Sequence, residues 1–416
     1  MSGTVATGAL RERIEGRLTA RSEANAGFFR AEAERLARVC HRMAERFARG
    51  GRLVALGLSP SARSDVRHVT VEFVHPVIVG KRALPAIGLS REGGALAEQV
   101  KLVAEAEDIA IAFGTEDEGG EEVRAALARA GERGCLTLAF DRAGAEWDFE
   151  VPSDDPYIRQ EVAETAYHVL WELVHVFFDH RGLLEGREAG PVHDTGASSF
   201  LYPFLSESEH DLETVVEDVR SSASMKSEEV GALREQTLRE GAEQLAEAAA
   251  ALRARFAGGS KLLALGNGGS ATDSMDLVAD LRYPPPGSGW EPRRAIDLTE
   301  DTAIITAVGN DIGIEEIFQR QVIAYGRPGD TLIALSTSGN SENMILALEE
   351  ARRREMGTIA LVGYDGGRVA GEGLADHVVV TRSQHIPRIQ EAQASAYHVL
   401  RELVELSGSG GTAEAR

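Results

Sequence analysis

Two nine-residue segments, AYHVLWELV at 166–174 and AYHVLRELV at 396–404, differ at one position, and each lies near the end of one half of the chain. Such self-similarity means an internal duplication, so the chain must fold as two copies of one unit. Further pairs support this. RLVALG at 52–57 matches KLLALG at 261–266, residues 86–89 match 295–298, and 108–113 match 330–335. These short apolar runs end at turn residues and read as buried strands. Helical periodicity separates them, near 95–106, 121–130, 271–281 and 342–354, with longer amphipathic stretches at 24–47 and 157–178. Strand and helix in alternation predict an α/β fold with a parallel sheet in each copy.

The predicted domains are 1–180 and 212–416, joined by a polar, glycine-containing linker at 181–211. Residues 212–256 read as a long helical region broken near 221–224. With 416 residues the chain has ample core for two such units. It has no apolar run long enough to span a bilayer, and its first residues lack the apolar segment of a secretory signal. Cys40 and Cys135 are the only cysteines and offer neither a disulfide framework nor metal-type spacing. These features lead to the expectation of a cytoplasmic protein. A formal charge of −22 argues against a nucleic-acid surface. It also means that an anionic ligand must be held by local dipoles and donors.

Such donors are concentrated in the second copy. The strand at 331–335 runs into Ser336, Thr337, Ser338, Gly339, Asn340 and Ser341 and then into a helix. Free backbone N–H groups, four hydroxyls and a helix N-terminus together form an anion cradle. A second turn, Gly266, Asn267, Gly268, Gly269 and Ser270, follows the strand at 261–266 in the same way. Gly266, Gly268 and Ala271 also satisfy the dinucleotide pattern GxGxxA. The acid that pattern requires about 20 residues on has only Asp297 as a candidate, somewhat late, and a dinucleotide reading leaves the hydroxyl loop without a role. Two anion-type turns suit one phosphorylated small molecule better, and no nucleotide cofactor is expected. The first copy differs chemically. It has Gly57, Leu58, Ser59, Pro60 and Ser61 in place of the glycine turn, and Glu116, Asp117 and Glu118 in place of the hydroxyls. Those carboxylates repel a phosphate, so the first copy is expected to be a scaffold without phosphate loops.

The motifs GNGGSATD at 266–273, VGND at 308–311, LSTSGNS at 335–341, VGYDGG at 362–367 and RIQE at 388–391 resemble the sugar isomerase (SIS) domain family, and within it the phosphoheptose isomerases. The resemblance covers about 225–406. It implies two tandem SIS-type three-layer αβα domains with parallel sheets, the N-terminal copy degenerate. It further implies an aldose–ketose isomerase that interconverts sedoheptulose 7-phosphate and D-glycero-D-manno-heptose 7-phosphate. By the same resemblance the substrate contacts fall on Asn267, Gly268, Gly269, Ser270, Asn310, Asp311, Ser336, Thr337, Ser338, Ser341 and Gln390. The general base falls on Asp280, where relatives have Glu, and the general acid on His398. Some relatives bind zinc, and the matching positions are Asp276, Asp280, Gln390 and His398. The family's sites near subunit interfaces imply a homo-oligomer, a dimer of tandem chains.

Two departures bear on activity. Aspartate at 280 is one methylene short of glutamate, and a misplacement of about 1 Å can cost roughly a hundredfold in rate. Asp276 in place of histidine sets a second carboxylate nearby, which raises a neighbouring carboxyl pKa or disfavours metal. A non-catalytic SIS module, either a sugar-phosphate sensor or an interaction scaffold, is the alternative these changes favour. Gln160 and His168 duplicate Gln390 and His398 in the first copy, where packing or a contribution to a pocket with the second copy are the two expectations. The insert YPPPGSGW at 283–290 is read either as reshaping the pocket or as a surface loop.

Overall fold

The computed structural model describes residues 2–76, 81–90, 93–179 and 212–406. The linker predicted at 181–211 lies outside the described residues. The chain divides into two compact units, Glu23–Glu229 and Met1–Ser22 together with Val230–Arg416.

Each unit holds a five-stranded parallel sheet. In the first, β1 (Leu53–Leu56), β2 (Ala86–Leu89), β3 (Ile109–Ala112), β4 (Leu136–Ala139) and β5 (Trp147–Asp148) lie in the order β2-β1-β3-β4-β5. In the second, β6 (Leu262–Leu265), β7 (Ala295–Asp297), β8 (Thr331–Ser336), β9 (Gly357–Gly363) and β10 (His377–Thr381) repeat it as β7-β6-β8-β9-β10. The α/β class and the duplication are therefore as the sequence predicts. Both sheets have the 2-1-3-4-5 order of doubly wound flavodoxin-type sheets, not the 3-2-1-4 order of a dinucleotide fold.

Helices cover both faces of each sheet, because alternate strand residues are apolar on both sides. In the first unit Leu53, Ala55, Ile109 and Ile111 join the core of α1 (Ser2–Ala48), α2 (Pro60–Val74) and α5 (Pro156–Asp179). Val54, Leu56, Ala110 and Ala112 face α3 (Leu96–Val103) and α4 (Gly120–Glu132). The helix α6 (Leu212–Glu240) belongs to the first unit up to Glu229 and to the second from Val230; the second unit also has α7 (Ala242–Ala257) and α8 (Gly269–Arg282), then α9 (Thr302–Asp311), α10 (Ile317–Tyr325), α11 (Glu342–Arg353), α12 (Gly367–Gly371) and α13 (Ile386–Leu406). There Leu262, Ala264, Ile333 and Leu335 pack with residues of α7, α8 and α13, while Leu263, Leu265, Leu332 and Ala334 pack with α10 and α11.

Two sequence expectations differ from the structure. The units exchange helical segments relative to 1–180 and 212–416, because apolar stripes choose their cores. Ile14 and Leu18 of α1 are buried with Leu245 and Leu403, and Arg21 pairs with Glu402 at 3.3 Å. Val215, Val216 and Val219 of α6 join the first unit's core instead. The long helical region breaks at Gly241, not near 221–224. Ser224 lies within the helix, its hydroxyl donating to the Arg220 carbonyl one turn back at 3.2 Å and so kept from competing for other backbone groups. At Gly241 a Cβ would lie 2.8 Å from Val379 Cγ1, so the chain can pass β10 only without a side chain.

Candidate active site of the second unit

The chain leaves β6 for β7 on one side and returns to β8 on the other, so the C-terminal ends of β6 and β8 bound a topological switch point, where ligands of such sheets bind. Both predicted anion turns open there. After β6, Gly268 takes φ 58° and Gly269 starts α8, with the Ser270 and Ala271 N–H groups turned back onto the Asn267 and Gly268 carbonyls at 3.1 and 3.0 Å. After β8, Ser336 is buried, and its hydroxyl accepts the N–H of Ser338 at 3.2 Å and of Gly339 at 3.1 Å. Ser338 Oγ accepts the Asn340 N–H at 3.2 Å, and Ser341 precedes α11 as its N-cap residue with no side-chain capping bond. Thr337 and Ser338 are half-buried, and Ser270 is buried in the first turn of α8. Asn267 and Asn343 exchange amide hydrogen bonds at 3.0 Å in both directions, which joins the two turns side by side.

The proposed acid–base pair also comes together. Asp276 and Asp280 stand one turn apart on α8, and His398 faces them from α13. His398 Nε2 lies 3.3 Å from Asp276 Oδ2 and 3.4 Å from Asp280 Oδ2, all three side chains being buried. Burial pushes the Asp280 carboxyl up to about 7, the neighbouring Asp276 charge adds to the rise, and His398 opposes it. A buried carboxyl poised near neutrality can exchange a proton in either direction. Gln390 is buried on α13 two turns before His398. Asn310 and Asp311 end α9 and are exposed; the Asn310 amide donates to the Asp311 carboxylate at 2.7 Å, and neither bonds to the anion turns. Asp297, the acid a dinucleotide would need, accepts the Thr299 N–H and hydroxyl at 2.8 and 2.7 Å.

Four further residues shape this site. Tyr397, already part of the repeat, donates its hydroxyl to Asp276 Oδ2 at 2.9 Å. Gln393 donates to the Ser336 carbonyl at 3.1 Å and so ties the histidine helix to the hydroxyl loop. Arg401 donates from Nε to the Asp280 carbonyl at 3.2 Å and lies 4.8 Å over the ring of Trp290. The insert 283–290 thus reaches back to the helix that carries His398, and its one tryptophan was the signal for that. Position 401 was equally legible, being the single difference between the repeated nonapeptides.

The first unit lacks these turns' chemistry. Its counterpart loop sends Glu116 to Arg159 at 2.9 Å, and Asp117 accepts the Ser59 hydroxyl. A carboxylate–guanidinium cluster fills the place where hydroxyls stand in the second unit.

Comparison with known proteins agrees with this geometry. A family model of the SIS domain matches residues 227–363. A phosphoheptose isomerase of Bordetella avium is 43% identical over 199 residues, 47% of this chain and 99% of the relative. One of Rhodospirillum rubrum is 43% identical over 168 residues, 39% of this chain and 84% of the relative. Over the whole chain, tagatose-6-phosphate ketose/aldose isomerase of Escherichia coli superposes with TM-score 0.56 at 13% identity, covering 96% of this chain and 94% of that one. The C-terminal domain of a Francisella tularensis glucosamine-fructose-6-phosphate aminotransferase gives 0.59 at 8% identity, covering 94% of each, a likeness of fold alone. The sheet order, the two donor-lined turns and the near-complete coverage of a relative at this identity make the chain a member of the SIS domain family, in the group that includes the phosphoheptose isomerases.

Proposed function

We propose that the second unit is a sugar-phosphate aldose–ketose isomerase and that its substrate pair is sedoheptulose 7-phosphate and D-glycero-D-manno-heptose 7-phosphate. The observation that carries this reading is the contact of His398 with Asp280 at 3.4 Å, the carboxyl being raised to about 7. Ser336, Thr337, Ser338, Ser341 and the α8 N-terminus with Gly268, Gly269 and Ser270 bind the phosphate. Asn267, Asn310, Asp311 and Gln390 orient the sugar hydroxyls.

In the ketose-to-aldose direction Asp280 takes the proton from C1 while His398 gives one to the carbonyl oxygen on C2, which leaves an enediol. The O1 hydroxyl then returns its proton to His398 and the carbon proton goes back to C2, closing the aldose with both groups restored. Tyr397 holds Asp276 in place beside the imidazole.

Asp276, Asp280 and His398 offer donor atoms within 4.8 Å of one another, a spacing that accommodates one divalent ion, with Gln390 as the fourth candidate ligand. Such an ion, when bound, polarises the substrate carbonyl. The assembly is a homo-oligomer: α9 is apolar in sequence yet buries no residue, and Ile312 and Ile314 after it are 53% and 62% exposed. Packing that segment against a second chain would also enclose Asn310 and Asp311.

The test is incubation of the purified full chain with sedoheptulose 7-phosphate, with aldose formation read directly and Asp280→Asn as control. Turnover that Asp280→Asn abolishes supports the isomerase. The second reading, a sugar-phosphate-binding module, draws on Asp276 Oδ2 being held by both Tyr397 and His398. Binding without aldose formation, with and without zinc, establishes that reading instead.

A further inference from the structure

The first unit contains a cluster that its lack of phosphate loops does not explain. His68 and Glu72 lie four residues apart on α2, and Glu164 and His168 four apart on α5. Residues i and i+4 share one helical face, so each helix presents one imidazole and one carboxylate. All four are buried, with exposures of 3%, 1%, 3% and 0% in chain order.

We propose that these two helices hold a divalent transition-metal cation of the zinc class between them, with His68, Glu164 and His168 as ligands and Glu72 as the fourth.

The donor atoms of His68, Glu164 and His168 lie within 4.8 Å of one another. The two imidazole Nε2 atoms are 3.3 Å apart, and Glu72 Oε1 is 3.9 Å from His68 Nε2. A nitrogen–nitrogen separation of 3.3 Å is long for a hydrogen bond. It equals the edge of a tetrahedron with metal–nitrogen bonds of about 2.0–2.1 Å, which is about 3.3 Å. The rings are fixed before any ion arrives: His68 meets Tyr167 edge-on at 5.4 Å and His168 at 5.0 Å and 77°.

The donor set also separates this place from the aspartate site of the second unit. Two imidazoles and two carboxylates suit zinc, whereas Asp276, Asp280 and His398 offer one nitrogen and harder oxygen ligands. The first unit therefore takes zinc first, and the copy without phosphate turns carries the tighter metal. Since the ligands come from α2 and α5, the ion cross-links two helices of the core on one face of the first sheet. The inference stands whether or not the second unit turns over a sugar.

The experiment uses the full chain, stripped with chelator and dialysed against zinc, with bound metal counted per chain. The Asp276→Asn/Asp280→Asn variant retains one equivalent, and cobalt in its place gives the visible absorption of a tetrahedral site with nitrogen ligands. His168→Gln loses that equivalent and the cobalt bands, and its melting temperature no longer rises with zinc. Should His168→Gln fail to fold, Glu164→Gln is read the same way and binds at least tenfold more weakly. A Asp276→Asn/Asp280→Asn protein that binds no zinc overturns the proposal. So does a folded His168→Gln or Glu164→Gln protein with undiminished zinc affinity.

Discussion

Gly339 is the residue on which the hydroxyl loop turns, and replacing it with alanine tests whether that loop is functional. Its φ of +64° is a left-handed conformation, and a Cβ there would lie 2.3 Å from the Gly366 carbonyl oxygen, 2.8 Å from its carbon and 3.3 Å from the Gly367 nitrogen. All three are backbone atoms, so no side chain can swing aside. Contact at no less than about 3 Å requires the two loops to part by roughly 0.7 Å, on top of about 1–2 kcal/mol for the left-handed alanine. The Gly339 N–H and carbonyl are both bonded, to Ser336 Oγ at 3.1 Å and to the Val369 N–H at 3.2 Å. The shift therefore also misaligns donors at the proposed phosphate position. A displacement approaching 1 Å costs roughly a hundredfold in rate. Gly339→Ala should then lower kcat/KM for sedoheptulose 7-phosphate by about 30- to 100-fold, with a loss of about 1–3 kcal/mol in urea unfolding. Circular dichroism should be unchanged. If the folded variant turns over and binds inorganic phosphate like its parent, the loop does not grip the substrate and the assignment of Ser336 to Ser341 is wrong.

Three other outcomes follow from single contacts. Asp280 has a folded pKa of about 7 against about 3.9 unfolded, so the folded state binds the extra proton between those values. Its stability contribution is present below about pH 4 and lost as pH rises through 7. In chelator, Asp280→Asn should match the parent near pH 4 and exceed it by at most about 4 kcal/mol at pH 8, and a pH-independent difference between the two would refute the buried carboxyl. Ser336→Ala removes the acceptor for two backbone N–H groups, an expected loss of about 1–3 kcal/mol in chemical denaturation with weakened phosphate binding by calorimetry. Trp290→Ala takes the ring from beneath Arg401. It should cost about 1 kcal/mol and lower kcat more than it raises KM, because Arg401 touches the Asp280 backbone and not the phosphate turns.

The repeated strands and closing helices were legible in the sequence because their patterns are local: brief apolar runs for buried strands and a nonapeptide repeated with one change for the closing helices. The two glycine- and hydroxyl-rich turns were legible for the same reason, since each lies in sequence between an apolar strand and a helix. What the sequence left open were choices made by distant partners. Nothing local tells α1 to give Ile14 and Leu18 to one core and Phe28 and Phe29 to another, since an amphipathic stripe carries no address. At Gly241 the close neighbour of an added Cβ is Val379, more than a hundred residues on, which no local pattern announces. For His168 the sequence left packing and a contribution to a pocket with the second copy both open, and only the fold brings His68 of α2 to 3.3 Å from it. Asp276 and Asp280 could be set on one face of a helix by counting, but only the packing of α13 on α8 put an imidazole between them and buried it. Spacing along a chain fixes which side chains share a face. Burial, and with it the raised pKa of Asp280, is decided by what the folded chain lays across that face.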